Sequence, residues 1–217
     1  MSVQFAVSGQ HYLFSVQAFA QTVLAAGGDS YRYAFRSGTT QEVINDVAEG
    51  KSELGVLFQT SDSAAELNAA FEQAGVTFEV LTQSAPRVAL PASHPLVNAQ
   101  SLTLDALSDY PYVYFEQEEG KSAAFAEEAL AAIPREKSIA TTDRASLSEL
   151  IVALNGYTIT SGILVGISDG SSLRTVPLTT DVTLRLGVIV KQGSEPSELA
   201  QRFVSGLKKN LETYARL

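Results

Sequence analysis

The chain has 217 residues, 45% of them hydrophobic and 18% charged, with fifteen basic against twenty-four acidic residues for a formal net charge of −9. That length buries a real core in one large domain or two small ones. No stretch approaches the ~20 apolar residues of a membrane span, and an acidic surface repels phosphate backbones, which argues against direct nucleic-acid binding. The absence of Cys excludes disulfides, thiolate metal sites and cysteine nucleophiles, and two His with no Trp leave little for a dense catalytic or metal centre. The first residues carry no basic leader or cleavage site.

In chain order, Val3, Phe5 and Val7 alternate with Gln4 and Ala6 as in a strand, which ends at Ser8-Gly9-Gln10-His11. Tyr12, Val16, Phe19 and Val23 share one helical face up to Gly27-Gly28. A strand over 31–36 leads through Ser37-Gly38-Thr39-Thr40 into a helix with Val43, Ile44 and Val47. The run Leu54-Gly55-Val56-Leu57-Phe58 suits a strand covered on both faces of a parallel sheet. A helix over 64–73 and strands over 76–81 and 87–90 complete a β-α-β-α-β-α-β order, the pattern of a doubly wound α/β layer.

Beyond Pro91 and Pro95, the pattern predicts a short helical segment over 102–107 and a strand over 112–115. A loop over 116–120 and a helix over 123–132 follow, then a strand over 138–141 and a helix over 147–154. The apolar run 157–165 reads as strand in part; strands over 173–178 and 183–190 and a terminal helix over 196–214 close the chain. Breaks near Ser84-Ala85-Pro86 and Thr179-Thr180-Asp181 suggest one domain inserted in another, with 1–84 and 182–217 forming the first unit and 85–181 the second.

Three pairs fit a helix-opening capping box: Thr39 with Glu42, Ser63 with Glu66, and Ser146 with Glu149. Strand-to-helix turns of a parallel sheet lie along one edge, where ligands bind, and free N–H groups there suit an anion. The turns at Ser8–His11 and Ser37–Thr40 add glycine and small hydroxyls, which permit close backbone approach. Gly166-Ile167-Ser168-Asp169-Gly170 spells a hydrolase nucleophile elbow, yet a turn and a strand follow where the elbow needs a helix. Gly120-Lys121-Ser122 ends like a phosphate loop, but Phe115 stands where the spacing requires Gly. His11 is expected to be solvated or a helix cap, His94 a loop residue, Glu116, Glu118 and Glu119 a solvated loop, and Arg36, Arg87 and Arg144 partners of nearby carboxylates.

Four segments together resemble the effector-binding (co-inducer) domain of LysR-type bacterial transcriptional regulators. They are Thr40-Gln41-Glu42-Val43-Ile44-Asn45-Asp46-Val47 with Gly50; Glu53-Leu54-Gly55-Val56-Leu57; His94-Pro95-Leu96 followed by Leu102-Thr103-Leu104-Asp105-Ala106-Leu107; and Leu150-Ile151-Val152-Ala153-Leu154-Asn155-Gly156. Thr158 and Ile163 stand where most members carry Gly and Pro, which bears on local pocket shape. The resemblance implies an N-terminal winged helix-turn-helix missing from this chain, with Met1 and Ser2 read as additions.

The fold so implied is α/β, two Rossmann-like subdomains joined by two crossover strands, like a type 2 periplasmic binding protein. Its ligand, a small effector, lies between the lobes; the helix N-termini at the strand ends suit an anionic one. Position by position, the implied contacts are Ser8, Gly9, Gln10, Thr39, Thr40, Phe58 and Gln59 from the first lobe, and Phe115, Glu116, Thr142, Asp143, Tyr157 and Thr158 from the second. The resemblance also implies a cytoplasmic homodimer or tetramer that meets DNA only through the missing domain, with no membrane, metal, cofactor or enzymatic role. The helix from Tyr12 to Ala25 of one subunit would meet second-lobe helices of the other, antiparallel. A transporter's solute-binding protein shares the fold and is the alternative; an enzyme is disfavoured by the failed motifs. A crevice filled solid by the chain's own side chains would count against the ligand reading.

Overall fold

The structure, a computed structural model, describes residues 3–165 and 172–214; the Gly166–Gly170 motif lies outside them. The first subdomain opens with β1 (Phe5–Gly9), α1 (Leu13–Ala26), β2 (Tyr33–Ser37), α2 (Thr40–Ala48), β3 (Leu54–Thr60), α3 (Ala64–Ala74) and β4 (Val76–Ser84). The second holds β5 (Arg87–Pro91), β6 (Tyr112–Phe115), β7 (Ser138–Thr141), α4 (Arg144–Ala153), β8 (Thr158–Thr160) and β9 (Leu173–Pro177). The chain then returns through β10 (Leu184–Lys191) and α5 (Glu198–Tyr214).

The five-stranded sheet has the order β2-β1-β3-β10-β4, parallel through β2, β1 and β3 and antiparallel where β10 inserts between β3 and β4. β3 is its central strand, and residues 54–59 are all buried, as a run apolar on both faces requires. Gly55 is needed there: a Cβ would come within 2.7 Å of Val43 Cγ1 on α2 and 2.9 Å of Ile189 Cγ1 on β10. Helix α3 stops at Gly75, whose left-handed φ of 67° favours a residue without Cβ.

The second subdomain is built of smaller pieces. β8, β5 and β9 form an antiparallel sheet, β6 and β7 a parallel pair, and a bridge between Tyr112 and Tyr157 links the two. One apolar cluster runs from Phe5, Val7 and Phe58 of the first subdomain to Val88, Leu90 and Ile159 of the second, so the cores are continuous.

Three expectations fail locally. The helix expected over 123–132 is a single 3₁₀ turn, Ala123–Phe125, and Leu130 takes a left-handed φ of 61°. The Ala-rich stretch favours helix, but Phe125 is buried in the α2–α3 cluster beside Val43, Ile44, Leu67 and Phe71, and Glu127 and Glu128 are buried too. Tertiary contacts have overridden local propensity. Ser63 already has helical backbone angles, and its hydroxyl accepts from Thr60 N–H at 2.9 Å instead of capping α3. Asp143, not Ser146, caps α4, its carboxylate accepting from Ser146 N–H at 2.9 Å.

Candidate functional site

The carboxyl ends of β1 and β3 and the start of α2 face the second subdomain. Thr39 caps α2 in a true capping box: its hydroxyl accepts from Glu42 N–H, and the Glu42 carboxylate accepts from Thr39 N–H at 2.8 Å. One residue on, Thr40 is fully buried. Its hydroxyl accepts from Gln10 Nε2 at 2.6 Å and donates to the carbonyl of Phe125 at 2.7 Å. Gln10 Oε1 in turn accepts from Phe58 N–H at 2.7 Å. Gln10, Thr40 and Phe58 therefore form one polar chain, and its outer end binds the second subdomain.

Residues 122–128 form a strap across the crevice, bonded to the first subdomain. Ser122 donates to Glu66 on α3 at 2.6 Å, and Lys121 Nζ donates to Gln41 Oε1 at 2.8 Å. The deepest contact belongs to Glu127. Its Oε2 accepts from the backbone N–H of His11 at 3.0 Å, and its Oε1 lies 2.7 Å from His11 Nδ1. The Tyr12 hydroxyl donates to the Glu127 carbonyl at 3.1 Å. The Glu127 side chain is 1% exposed and that of His11 8%, and the imidazole stacks on Phe115 at 4.2 Å between ring centres.

Glu128 is buried beside it. One carboxyl oxygen accepts from Phe115 N–H at 2.9 Å; the other has no hydrogen-bond partner. Burial, reinforced by the adjacent Glu127, pushes its pKa up to about 8. Burial first, then the Glu127 and Glu128 carboxylates, push the Tyr12 phenol well above its ordinary range. The Ser146 hydroxyl and N–H hold Asp143 below the usual carboxylate range.

The inferred contact residues separate into groups. Gln10, Thr40, Phe58 and Phe115 meet around the strap, as described above. Ser8 turns instead to Asp46 at 2.7 Å and Ser52 at 2.8 Å, and Gly9 lies in β1 against Phe35. Gln59 Nε2 donates to Asn68 Oδ1 at 2.8 Å on α3. Glu116, Thr142 and Asp143 are exposed. Tyr157 packs on Tyr112, which stacks with Arg135 at 4.7 Å, and buried Thr158 pairs with Ala89 in the β5–β8 ladder.

Sequence reasoning missed Tyr12, Phe125, Glu127 and Glu128. Its placing of His11 as a solvated or capping residue gives way to a buried partner of Glu127. His94 is in a loop but buried, its Nδ1 accepting from Leu96 N–H at 3.1 Å. Arg36 donates to the Ser52 hydroxyl at 3.2 Å and Arg87 to Thr175 at 3.0 Å, hydroxyl partners where carboxylates were expected. Among the described residues no group of three or more His, Asp or Glu could hold a metal ion, and no helix is long and apolar enough to cross a membrane.

The family model for the LysR substrate binding domain matches residues 30–212. The HTH-type transcriptional regulator SsuR of Burkholderia cenocepacia is 27% identical over 85 residues, 39% of this chain. The chain matches only a quarter of SsuR's length. Among solved structures, the reduced OxyR regulatory domain from Pseudomonas aeruginosa aligns with a TM-score of 0.67 at 12% identity, over 94% of this chain and 97% of that one. Oxidized OxyR of Corynebacterium glutamicum gives 0.65 at 14%, over 98% of this chain and 65% of that one. The effector binding domain of QuiR in complex with shikimate gives 0.60 at 14%, over 98% and 99%. These likenesses establish the type 2 periplasmic-binding-protein-like fold.

Proposed function

Because the chain belongs to the LysR substrate-binding domain family, we propose that it is the ligand-sensing part of a bacterial transcriptional regulator, taking a small-molecule effector between its two subdomains. The observation that carries this reading is the convergence of Gln10, His11, Tyr12 and Thr40 at strand ends and a helix start: His11, Tyr12 and Thr40 bond a strap from the opposite subdomain, and Gln10 bonds Thr40. Such a strand-end crevice is where α/β sheets bind ligands. QuiR's effector domain, described in complex with shikimate, supports a metabolite-sized ligand.

Residues 1–84 and 182–217 then form one lobe and 85–181 the other. The effector acts by favouring one lobe arrangement over another, which requires that it bind the two with different affinity. The full-length regulator works in the cytoplasm as a homodimer or tetramer, with α1 of one copy against second-lobe helices of its partner, and meets DNA through a separate domain. The role is binding, not catalysis.

The strap lies bonded across the crevice, which counts against the ligand reading unless the strap yields, so the reading requires that it does. A thermal-shift screen of small metabolites, followed by calorimetry on any binder, tests this. Thr40→Val is expected to weaken binding roughly five- to 150-fold, the loss of ~1–3 kcal/mol for an unmade buried bond. Thr39→Ala, which unmakes the capping box at the crevice edge, should weaken it less. Affinities unchanged in both variants would show that the ligand binds elsewhere.

A further inference from the structure

The strap is bound as a ligand would be. Both oxygens of the Glu127 carboxylate are used, and both face one residue: Oε2 accepts from His11 N–H and Oε1 faces His11 Nδ1. Where the carboxylate is ionised it only accepts, and His11 Nδ1 is then the donor. His11 lies two residues beyond the end of β1, just after Gln10, whose N–H still bonds Val56 of β3. Its imidazole is held by the stack on Phe115 from the other subdomain. A rigid two-donor arrangement of this kind fits any carboxylate of small size, tethered or free. The tethered one sits at a cost, since it stands buried next to a second carboxyl, Glu128. A pocket of about 410 Å³ lies against the strap, lined by Ser122 and Ala126 of the strap with Tyr114, Phe115 and Arg135 among others.

We propose that the Glu127 carboxylate holds the place of an effector's: His11, through its backbone N–H and Nδ1, is the seat for a small organic carboxylate, and the ligand gains it by displacing the Glu127 end of the strap. This rests on the crevice being the effector site and names the class of ligand it takes. Phe125, buried between α2 and α3, stays as the anchor about which that end moves.

Vacating the seat gives the test. Glu127→Ala is melted with potassium acetate at about 100 mM, with acetamide, and with potassium chloride at matched ionic strength. Acetate is expected to raise the melting temperature of this variant by several degrees more than that of the unaltered chain. Acetamide should not, and adding His11→Ala should remove most of the difference. A response to acetate no larger than the unaltered chain's, or an equal response to acetamide, overturns the proposal. Should Glu127→Ala not fold, Glu127→Gln keeps the shape without the charge. Amide exchange at His11 and residues 126–128 is then expected to quicken at least about tenfold, and unchanged exchange there overturns the proposal. The two readings fail separately. A metabolite whose affinity ignores Thr40→Val contradicts the crevice reading, whereas the acetate response tests the seat alone.

Discussion

At the scale of single residues, the crevice is controlled by groups whose polarity is at odds with their burial. Glu128 is the clearest. Its carboxyl faces Glu127 on its own segment, the Phe115 N–H on β6, Arg144 on α4, and the phenols of Tyr12 and Tyr112. With the pKa near 8 against an ordinary value of 4.5, the folded chain holds a proton between those pH values that the unfolded chain has released. Folding stability from this group is therefore full below about pH 4.5, falls as pH rises toward about 8, and levels off above; the total is several kcal/mol. Urea denaturation from pH 5 to 9 should show the decline, and Glu128→Gln should flatten much of it. A slope identical in the two proteins would mean that Glu128 is not held protonated.

At the scale of elements, the strap is the part of the fold that decides access to the crevice. Phe125 is 6% exposed and packs with α2 and α3, so Phe125→Ala should cost ~3–5 kcal/mol if it unmakes that anchor. The loss is read by denaturant midpoint; a cost under about 1 kcal/mol would show the anchor contributes little. Why the strap escaped the sequence reading is a matter of local pattern. Ala123 to Ala132 is Ala-rich with Glu at two adjacent positions, which is what a solvated helix looks like. Nothing local shows that Phe125 inserts into a cluster drawn from residues 43–76 and 189. The opposite holds for β3, whose five consecutive apolar residues could only be a strand covered on both faces, and for Thr39, whose pairing with Glu42 three residues on is complete within one turn. Ser8 and Gln59 had the right addresses, at strand ends, but alternation along a strand does not say which neighbour a polar side chain will take; both turned toward helices of their own subdomain.

At the scale of the whole molecule, the two crossings, from Ser84 to Arg87 and from Pro177 to Leu184, are short, and the apolar core passes between the subdomains. The arrangement is closed: Gln10, Thr40, Glu127 and Glu128 are each under 5% exposed. A sensor in this state responds only to a ligand that repays the strap's contacts, and the response is then the release of the strap. Amide exchange read by mass spectrometry, on the chain alone and with the tightest small carboxylic acid found by screening, measures this directly. The account predicts slower exchange at residues 10–12 and faster exchange at 126–128 on binding. A bound acid that leaves 126–128 as protected as before, or more so, would contradict it.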